Sequence, residues 1–478
     1  MSAVSLPRQL VAPKVVKGDD RLKSTSVELL PANAGATYSP ESNRRLVWNI
    51  PAYAKSFIDC TRSYLSFNIK KTGSAGDSII ASNVPFIDRM TLKAGTVLLE
   101  DLRDYALQEK LHALTESSDY GEGRQWMTGD YQDVLRKYTS GTNTLGNTIM
   151  SKIQSEQADG RTYTKPLISG VLGAGQQYYL PVGMLAASGS QALQLELFLA
   201  DAHQVITRNT SVTDNISYEI SDIKLHIQVV ELPERALGAF NQAILSGGTV
   251  RVPFSTSRVY QQHVPANQTH IDFNVVESSK EVEKIQVAMR PQSKTSSYTS
   301  VNVLESPEDA YDLRGGENSG SVVEKYQFRV GSAMYPPRAV EVTAGKGTTP
   351  AILAGLASTD CLNKSMRLTS IDLDGNPVFE NRGFFIQQGF KTSNDPIENG
   401  ISTAVGQGPI ELKLDFSAQN TALSMFAFVT SRHHLNITAT GAVSMIDGKF
   451  LCRGWCIDRQ DWNGLFCLSG AHIVSAGY

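Results

Sequence analysis

The part of this chain whose residue spacing most suggests a chemical site is an acidic stretch near position 372. Asp372, Asp374, Asn376 and Glu380 offer side-chain oxygens around Gly375, as the start of a calcium loop does. A calcium-binding helix-loop-helix needs about five or six oxygen ligands at fixed positions and a helix on each side. This stretch lies between strand-like segments, and Asn and Gly both tolerate the positive φ of a tight turn. The pattern therefore favours a hairpin turn over a metal site.

A second candidate is a group of thiols near position 460. Cys452, Cys456 and Cys467 supply three possible zinc ligands, and His472 is a possible fourth. Their spacing differs from the paired ligands of structural zinc sites. A buried cluster of small apolar side chains is the favoured interpretation, and zinc binding is the alternative. Because the number of cysteines is odd and no secretory signal is recognised, free thiols are expected.

The remaining chemically capable groups do not form a site pattern. His433 and His434 are adjacent, so on a strand they point to opposite faces and cannot readily share one metal ion. The glycine-rich stretch 170–175 lacks the Lys-Ser/Thr pair and the helix that a phosphate cradle needs. Neither a Gly-x-Ser-x-Gly elbow nor a His-Glu-x-x-His motif occurs in the sequence. The sequence thus predicts no catalytic residue, no cofactor and no metal site, and a protein that is not an enzyme.

A period-2 alternation of apolar and polar residues dominates the elements that would position any site. Leu65, Phe67 and Ile69 alternate with polar neighbours, and similar runs continue to about position 445. Such runs predict half-buried strands. They fall into two halves of roughly 200 residues with about eight strands each, which is the strand number of a jelly roll. The predicted fold class is all-β: two tandem eight-stranded antiparallel jelly-roll sandwiches with short helices and long inserted loops.

The predicted boundaries divide the chain into five parts. These are an extended N-terminal arm (1–43), an N-terminal jelly roll (44–234), a connecting helix (235–248), a C-terminal jelly roll (249–450) and a C-terminal segment (451–478). A short helix is predicted from Asp101 or Asp104 to about Thr115. Two long polar stretches, 117–165 and 291–322, are predicted to be loop excursions.

Composition and charge narrow the function classes. The 478 residues carry a net charge of −3, so the whole chain is not a nucleic-acid binder by bulk electrostatics. Only 19% of them are charged, against a usual value of about 25%, which is consistent with surfaces that partners cover. The longest uncharged stretch, 166–195, is too rich in Gly, Gln and Pro to be a membrane span.

The N-terminal arm differs from the rest of the chain because it is locally basic. This excess of positive charge predicts a weak contact with nucleic acid or a partner, and a solvated terminus is the alternative. The cations concerned are Arg8, Lys14, Lys17, Arg21 and Lys23.

Three pairs of stretches carry a family resemblance. RLVWNIP at 45–51 followed by RSYLSFNI at 62–69 is similar to the first two strands of an N-terminal roll. FIDRMTL at 86–92 and LLEDLRDY at 98–105 are similar to the strand and helix that follow it. YQFRVG at 326–331 with YPP at 335–337 resembles a strand and turn of a C-terminal roll. Together they resemble the double jelly-roll major capsid proteins, the lineage of adenovirus hexon and of the capsid proteins of virophages, polinton-like viruses and large nucleocytoplasmic DNA viruses.

The resemblance implies a structural protein of the virion. In this family three chains form a homotrimer whose six rolls make a pseudo-hexagonal capsomer. Capsomers tile an icosahedral shell beside neighbouring capsomers, penton and minor capsid proteins, and assembly takes place inside the host cell. Long loops of each roll face outward, and termini tend to face inward. The alternative function is a minor virion protein or a glycan-binding β-sandwich, and a third possibility is a β-rich hydrolase whose acid pair the sequence does not reveal.

Overall fold

The computed structural model places the strands and helices of both halves. It describes residues 23–33, 35, 37–51, 56–73, 78–80, 83–115, 126–129, 144–173, 175–176, 178–185, 193–208, 216–234, 237–238, 241–242, 249–292, 322–341, 385–390, 400–403, 408–418, 422–438 and 442–447. The strands before position 235 are β1 (Lys23–Leu29), β2 (Arg45–Ile50), β3 (Ser56–Thr72), β4 (Ser78–Ile80), β5 (Ile87–Ala94), β6 (Val97–Arg103), β7 (Arg161–Pro166), β8 (Leu193–Leu199), β9 (Ile206–Arg208) and β10 (Ser217–Glu231).

The second half continues the series after position 249. Its strands are β11 (Val250–Val264), β12 (His270–Val275), β13 (Val282–Pro291), β14 (Val322–Val330), β15 (Ala333–Glu341), β16 (Ile386–Gly389), β17 (Ile410–Ala418), β18 (Leu423–Ile437) and β19 (Val443–Asp447). Among the described residues, the helices of four or more residues are α1 (Tyr105–Thr115), α2 (Thr144–Asp159), α3 (Val182–Leu185) and α4 (Ala202–Val205).

Eight of the described strands in the first half form two four-stranded antiparallel sheets. One sheet has the order β1-β10-β3-β7 and the other has the order β2-β8-β5-β6. If these eight strands are lettered B to I in chain order, the sheets read B-I-D-G and C-H-E-F, which is the strand order of a jelly roll. The short strands β4 and β9 pair separately. We call this unit the first roll.

The second half repeats the same order. Its sheets are β11-β18-β13-β16 and β12-β17-β14-β15, and β19 adds to the first of them by pairing with β18. Lettered in chain order from β11 to β18, these sheets again read B-I-D-G and C-H-E-F. We call this unit the second roll. The predicted all-β class with antiparallel sheets is confirmed, and the described strands are consistent with eight per roll.

Alternating burial explains why these segments form strands. Leu65, Phe67 and Ile69 on β3 are buried, whereas Tyr64 before them and Lys70 after them are exposed, as the alternation predicts. Burying each large apolar side chain contributes about 1.5–3 kcal/mol, so the buried face of each sheet decides its register. The core of each roll lies between its two sheets.

One predicted loop excursion is wrong at its C-terminal end. The stretch 117–165 contains helix α2 and almost all of β7, which is an edge strand of the first roll. Strand β7 buries Tyr163 and Lys165 and turns Thr162 and Thr164 towards solvent. Because a buried lysine takes the place of an apolar residue, the alternation that would reveal the strand is hidden. The neighbouring helix α1 begins directly after Asp104, and its prediction is confirmed.

The segment predicted as an N-terminal arm supplies a strand to the first roll. Strand β1 pairs with β10 over its whole length, so the sheet begins at Lys23 and not at position 44. In the predicted connecting helix, positions 237–238 and 241–242 are helical, and the amide of Leu237 donates to the carbonyl oxygen of Pro233 at 2.9 Å. The segment 451–478 lies outside the described residues.

Candidate functional site, the roll junction and the exposed faces

Helix α1 leaves strand β6 of the first roll and lies between the two rolls. All positions from 105 to 111 are buried, including the polar ones. Tyr105 belongs to the hydrophobic core of the first roll, whereas Leu107 and Leu111 belong to the core of the second roll. A helix that is buried on all sides must pack against partners all round it. Helix α1 therefore joins the two cores.

A buried ion pair holds this helix in place. The ammonium of Lys165 lies 2.6 Å from a carboxylate oxygen of Glu109 on α1. It also donates to the carbonyl oxygens of Asn83 and Val84 at 2.8 Å each. Burial lowers the pKa of Lys165, and the charge of Glu109 acts in the opposite direction. The three acceptors match the three donors of an ammonium group, so the pair ties α1 to β7.

A second buried acid lies where β6 meets the second roll. Glu100 is only 2% exposed. Its carboxylate accepts hydrogen bonds from the Ser169 hydroxyl and from the Gly170 amide, the latter at 2.7 Å. Another hydrogen bond reaches it from Thr256 on β11. Burial raises the pKa of Glu100 although each of these bonds lowers it. One carboxylate thus connects three segments from both rolls.

The glycine-rich stretch 170–175 has a packing role at this junction. A Cβ atom on Gly170 would overlap the backbone of Ser255 on β11. The side-chain amide of Gln176 donates to the carbonyl oxygens of Gly170 and Pro253 at 3.1 Å each, so it spans the same contact. The sequence does not reveal this contact, because the partner strand β11 lies far along the chain.

The two rolls also share the first core. Val250 and Val252 on β11 and Leu435 and Ile437 on β18 belong to the hydrophobic cluster of the first roll. Met445 on β19 packs against the same cluster. Because each roll contributes side chains to the core of the other, the chain forms one interlocked body.

Buried carboxylates in the second roll are paired with arginine. Arg432 lies 3.7 Å from Glu281 and 3.0 Å from Glu283, and both carboxylates are buried. Arg258 lies 3.2 Å from the buried Glu277. An acid pair for glycoside hydrolysis needs access to a substrate. These carboxylates instead form structural ion pairs.

The outer face of the first C-H-E-F sheet carries exposed cations over shielded carboxylates. Arg45 and Lys93 lie 2.7 Å and 3.4 Å from the same oxygen of Glu196. Arg89 lies 2.6 Å from Asp101. Burial works to raise the pKa of Glu196, but Arg45 and Lys93 outweigh it and lower the pKa. This face is polar, which is typical of a sheet surface in contact with water.

The outer face of the second C-H-E-F sheet is a ladder of opposite charges. Asp415 on β17 accepts a hydrogen bond from His270 and lies 3.0 Å from Lys325 on the other side. Arg329 lies 3.6 Å from Glu411 two rows further along the strands. The hydrogen bond to Asp415 raises the pKa of His270. Such exposed pairs contribute little to stability because water screens them.

The outer face of the first B-I-D-G sheet has an aromatic centre. We call it the first-roll face and define it by Glu28, Ser66, Tyr64 and His226, which lie on neighbouring strands. The rings of Tyr64 and His226 stack at a centroid distance of 4.4 Å and an interplanar angle of 8°. His226 Nε2 lies 2.7 Å from the Ser66 hydroxyl, and Nδ1 lies 3.9 Å from Glu28. Tyr64 keeps 38% of its surface exposed, so the stack is open to a partner.

Solved capsid structures share this architecture. No protein-family model matches the sequence, and no curated protein matches it either. The PBCV-1 virus capsid structure is 10% identical, with 90% of this chain and 98% of that chain covered and a TM-score of 0.57. The Sputnik virophage structure is 11% identical, with 94% and 93% covered and a TM-score of 0.56. The mavirus major capsid protein is 9% identical, with 94% and 96% covered and a TM-score of 0.51. The chain has the double jelly-roll fold.

The double jelly roll places His433 and His434 on opposite faces of β18, as the sequence predicts. His433 is fully buried, with Nε2 3.0 Å from the Ser431 hydroxyl and its ring 5.9 Å from that of Phe254. His434 lies on the opposite, partly exposed face of β18, and burial lowers its pKa. The prediction that the pair cannot share a metal ion is consistent with this geometry. Among the described residues no group of three or more potential metal ligands is found.

Several predicted features lie outside the described residues. They are the acidic stretch 372–380, the thiols Cys361, Cys452, Cys456 and Cys467, His472, and the cations Arg8, Lys14, Lys17 and Arg21. Cys60 is a buried free thiol whose pKa is raised well above its usual value by burial. Lys23 is exposed at the start of β1. In the described part of the double jelly roll, no helix has the length and apolar character needed to cross a bilayer.

Proposed function

We propose that this chain is a major capsid protein that forms homotrimeric, pseudo-hexagonal capsomers and tiles an icosahedral shell. The observation that carries the proposal is the repeat of one jelly-roll strand order twice in one interlocked chain. Three such chains supply six similar rolls, which is what a six-sided tile requires. The likeness to the mavirus major capsid protein over 94% of this chain supports the same role.

The packing of the junction suits a shell protein. Helix α1, the Glu109–Lys165 pair and the Glu100 cluster hold the two rolls in one arrangement. A capsomer must keep its shape when it contacts neighbouring capsomers. Buried polar groups that have partners favour a single arrangement of the two rolls. The proposed role is therefore geometric, without substrate turnover, and the place of action is the virion.

One end of each roll is the candidate outer surface. In a jelly roll the D-E, F-G and H-I connections leave at the same end. In the first roll, the amide of Asn83 in the D-E connection donates to the carbonyl oxygen of Gly129 in the F-G connection at 2.9 Å. Strand β4 of the D-E connection also pairs with β9 of the H-I connection. Apart from its strand β7, the predicted excursion 117–165 belongs to the F-G connection of the first roll. The predicted excursion 291–322 spans the D-E connection of the second roll. We therefore propose that this end faces outward.

The N-terminal arm is the proposed inner contact. Its exposed cation Lys23 starts β1, and the other cations precede it in the sequence. We propose that they make weak contact with the genome or with penton and minor capsid proteins. Deleting residues 1–22 keeps β1 and should leave the trimer intact while reducing genome retention in assembled shells. Shells with unchanged nucleic-acid content would exclude this role.

Solution mass tests the proposed function directly. Light scattering on the purified chain should give a species of three times the 52.0 kDa chain mass. Electron microscopy should then show hexagonal tiles or closed shells at high concentration. A chain that stays monomeric at every concentration would contradict the capsid role and favour a β-sandwich that binds a ligand on its own.

A further inference from the structure

The two B-I-D-G sheets differ in how their outer faces are covered. In the second roll the outward positions of β13 and β18 are buried, for example Gln286, Ala288 and Phe428. In the first roll the equivalent sheet leaves the first-roll face open, with Tyr64 exposed and Ser66 half-exposed. Two sheets of the same strand order therefore have different environments within one chain.

The covered face owes its burial to the first roll. Leu107 and Leu111 of helix α1 belong to the same hydrophobic cluster as Phe426 and Phe428 on β18. Strand β6, which is strand F of the first roll, contacts β11 at the edge of the same sheet. The contact between the rolls is thus directional: the F edge of one roll meets the B-I-D-G sheet of the next.

The second roll has an F edge of its own, which no second strand covers in the part of the chain that the structure describes. Strand β15 is its strand F, and it pairs only with β14 among the described strands. Most of β15 is exposed, including Met334. We call the F edge the donor of this contact and the outer face of the B-I-D-G sheet its acceptor. The contact within the chain uses one donor and one acceptor, so one of each is left over. Repeating the contact between copies closes a ring. The unused donor edge is β15, and the unused acceptor is the first-roll face.

We infer that the first-roll face binds the second roll of a neighbouring copy of this chain through the β15 edge. This inference rests on the proposed trimer and identifies the surface that builds it. In the resulting trimer one kind of contact joins all six rolls. Three of these contacts lie within chains and three lie between chains.

The chemistry of the first-roll face suits such a contact. Its centre is the Tyr64–His226 stack, with neutral Ser26 and Ser66 on neighbouring strands. Tyrosine is enriched in the cores of protein interfaces, and charged residues are depleted there. The face also carries an exposed ion pair at its β1 edge, with the Lys224 ammonium 3.6 Å from Glu28. The two outer C-H-E-F faces carry several such pairs across their centres, so they are the less suitable surfaces for a stable contact.

Charge insertion into the full chain tests the surface. Tyr64→Glu puts a carboxylate at the centre of the first-roll face, and Ser26→Glu does so on β1 without touching the aromatic stack. Asn49→Glu is the matched control, because it adds the same charge to the outer face of the other sheet of the first roll. Light scattering at the concentration where the wild type is trimeric gives the mass of each variant, and melting temperature reports folding.

The expected result is a fall towards the monomer mass for Tyr64→Glu and Ser26→Glu, with at least a tenfold weaker association, while Asn49→Glu stays trimeric. If Tyr64→Glu fails to fold, Ser26→Glu decides. Trimers in both face variants, or equal dissociation of the Asn49→Glu control, would overturn the inference while leaving the capsid role intact. A monomeric wild type would instead contradict the proposed function itself.

Discussion

Replacing Gly170 with alanine tests whether the backbones of the two rolls touch at the junction. A Cβ atom at this position would overlap the carbonyl group and crowd the amide nitrogen of Ser255. These are backbone atoms of β11, so no side-chain rotation relieves the overlap. Overpacking costs about 1–3 kcal/mol, and the upper end applies here because β11 is held by β18 along its whole length.

The expected loss of unfolding free energy can be expressed as a fall in the melting temperature. An unfolding entropy of about 2.1 cal/mol/K per residue amounts to about 1 kcal/mol/K for this chain, so about 3 kcal/mol lowers the Tm by about 3 °C. Scanning calorimetry at one scan rate measures the shift. Gly175→Ala is the control, because nothing lies within 4 Å of its would-be Cβ. If Gly170→Ala melts together with this control, the backbone contact at Ser255 is refuted.

Two buried acids give further predictions. Glu109→Gln should cost about 3–5 kcal/mol in urea unfolding, because the Lys165 ammonium is left buried without its carboxylate. Lys152→Ala loses exposed contacts with Glu156 and with the Trp126 ring, so it should cost only about 1 kcal/mol. Equal losses would contradict the role of the buried pair. Burial raises the pKa of Glu100, so the folded chain keeps this proton to higher pH than the unfolded chain does. The wild type should therefore lose stability relative to Glu100→Gln as the pH rises above the ordinary value of 4.5, and a Tm difference that is constant with pH would contradict this.

Strands with one buried face could be predicted from the sequence. On β2, β3 and β8 the alternation of apolar and polar residues matches the observed burial, as Leu65 and Phe67 illustrate. Helix α1 could be located by its apolar stripe, and the placement of His433 and His434 on opposite faces followed from strand geometry. These features depend on local spacing alone, which the sequence contains directly.

Features that depend on distant partners could not be predicted. Strand β1 is largely polar because it is an exposed edge, so its sequence resembles an arm. Strand β7 is hidden by Lys165, whose partner Glu109 lies on another element. The burial of both faces of β13 and β18 follows from α1, which the alternation of either strand does not reveal. The role of Gly170 likewise depends on Ser255, a residue of the other roll.

The sharing of the first core has a consequence for synthesis on the ribosome. Leu435 and Ile437 cap an apolar patch built largely by strands translated much earlier. While the ribosome is still making the second half, the first half therefore exposes an apolar surface to water. Partly made chains are prone to aggregate through such surfaces when many copies are translated together. The patch is buried only once β18 has been made, so chains that stop before this strand leave it exposed to water.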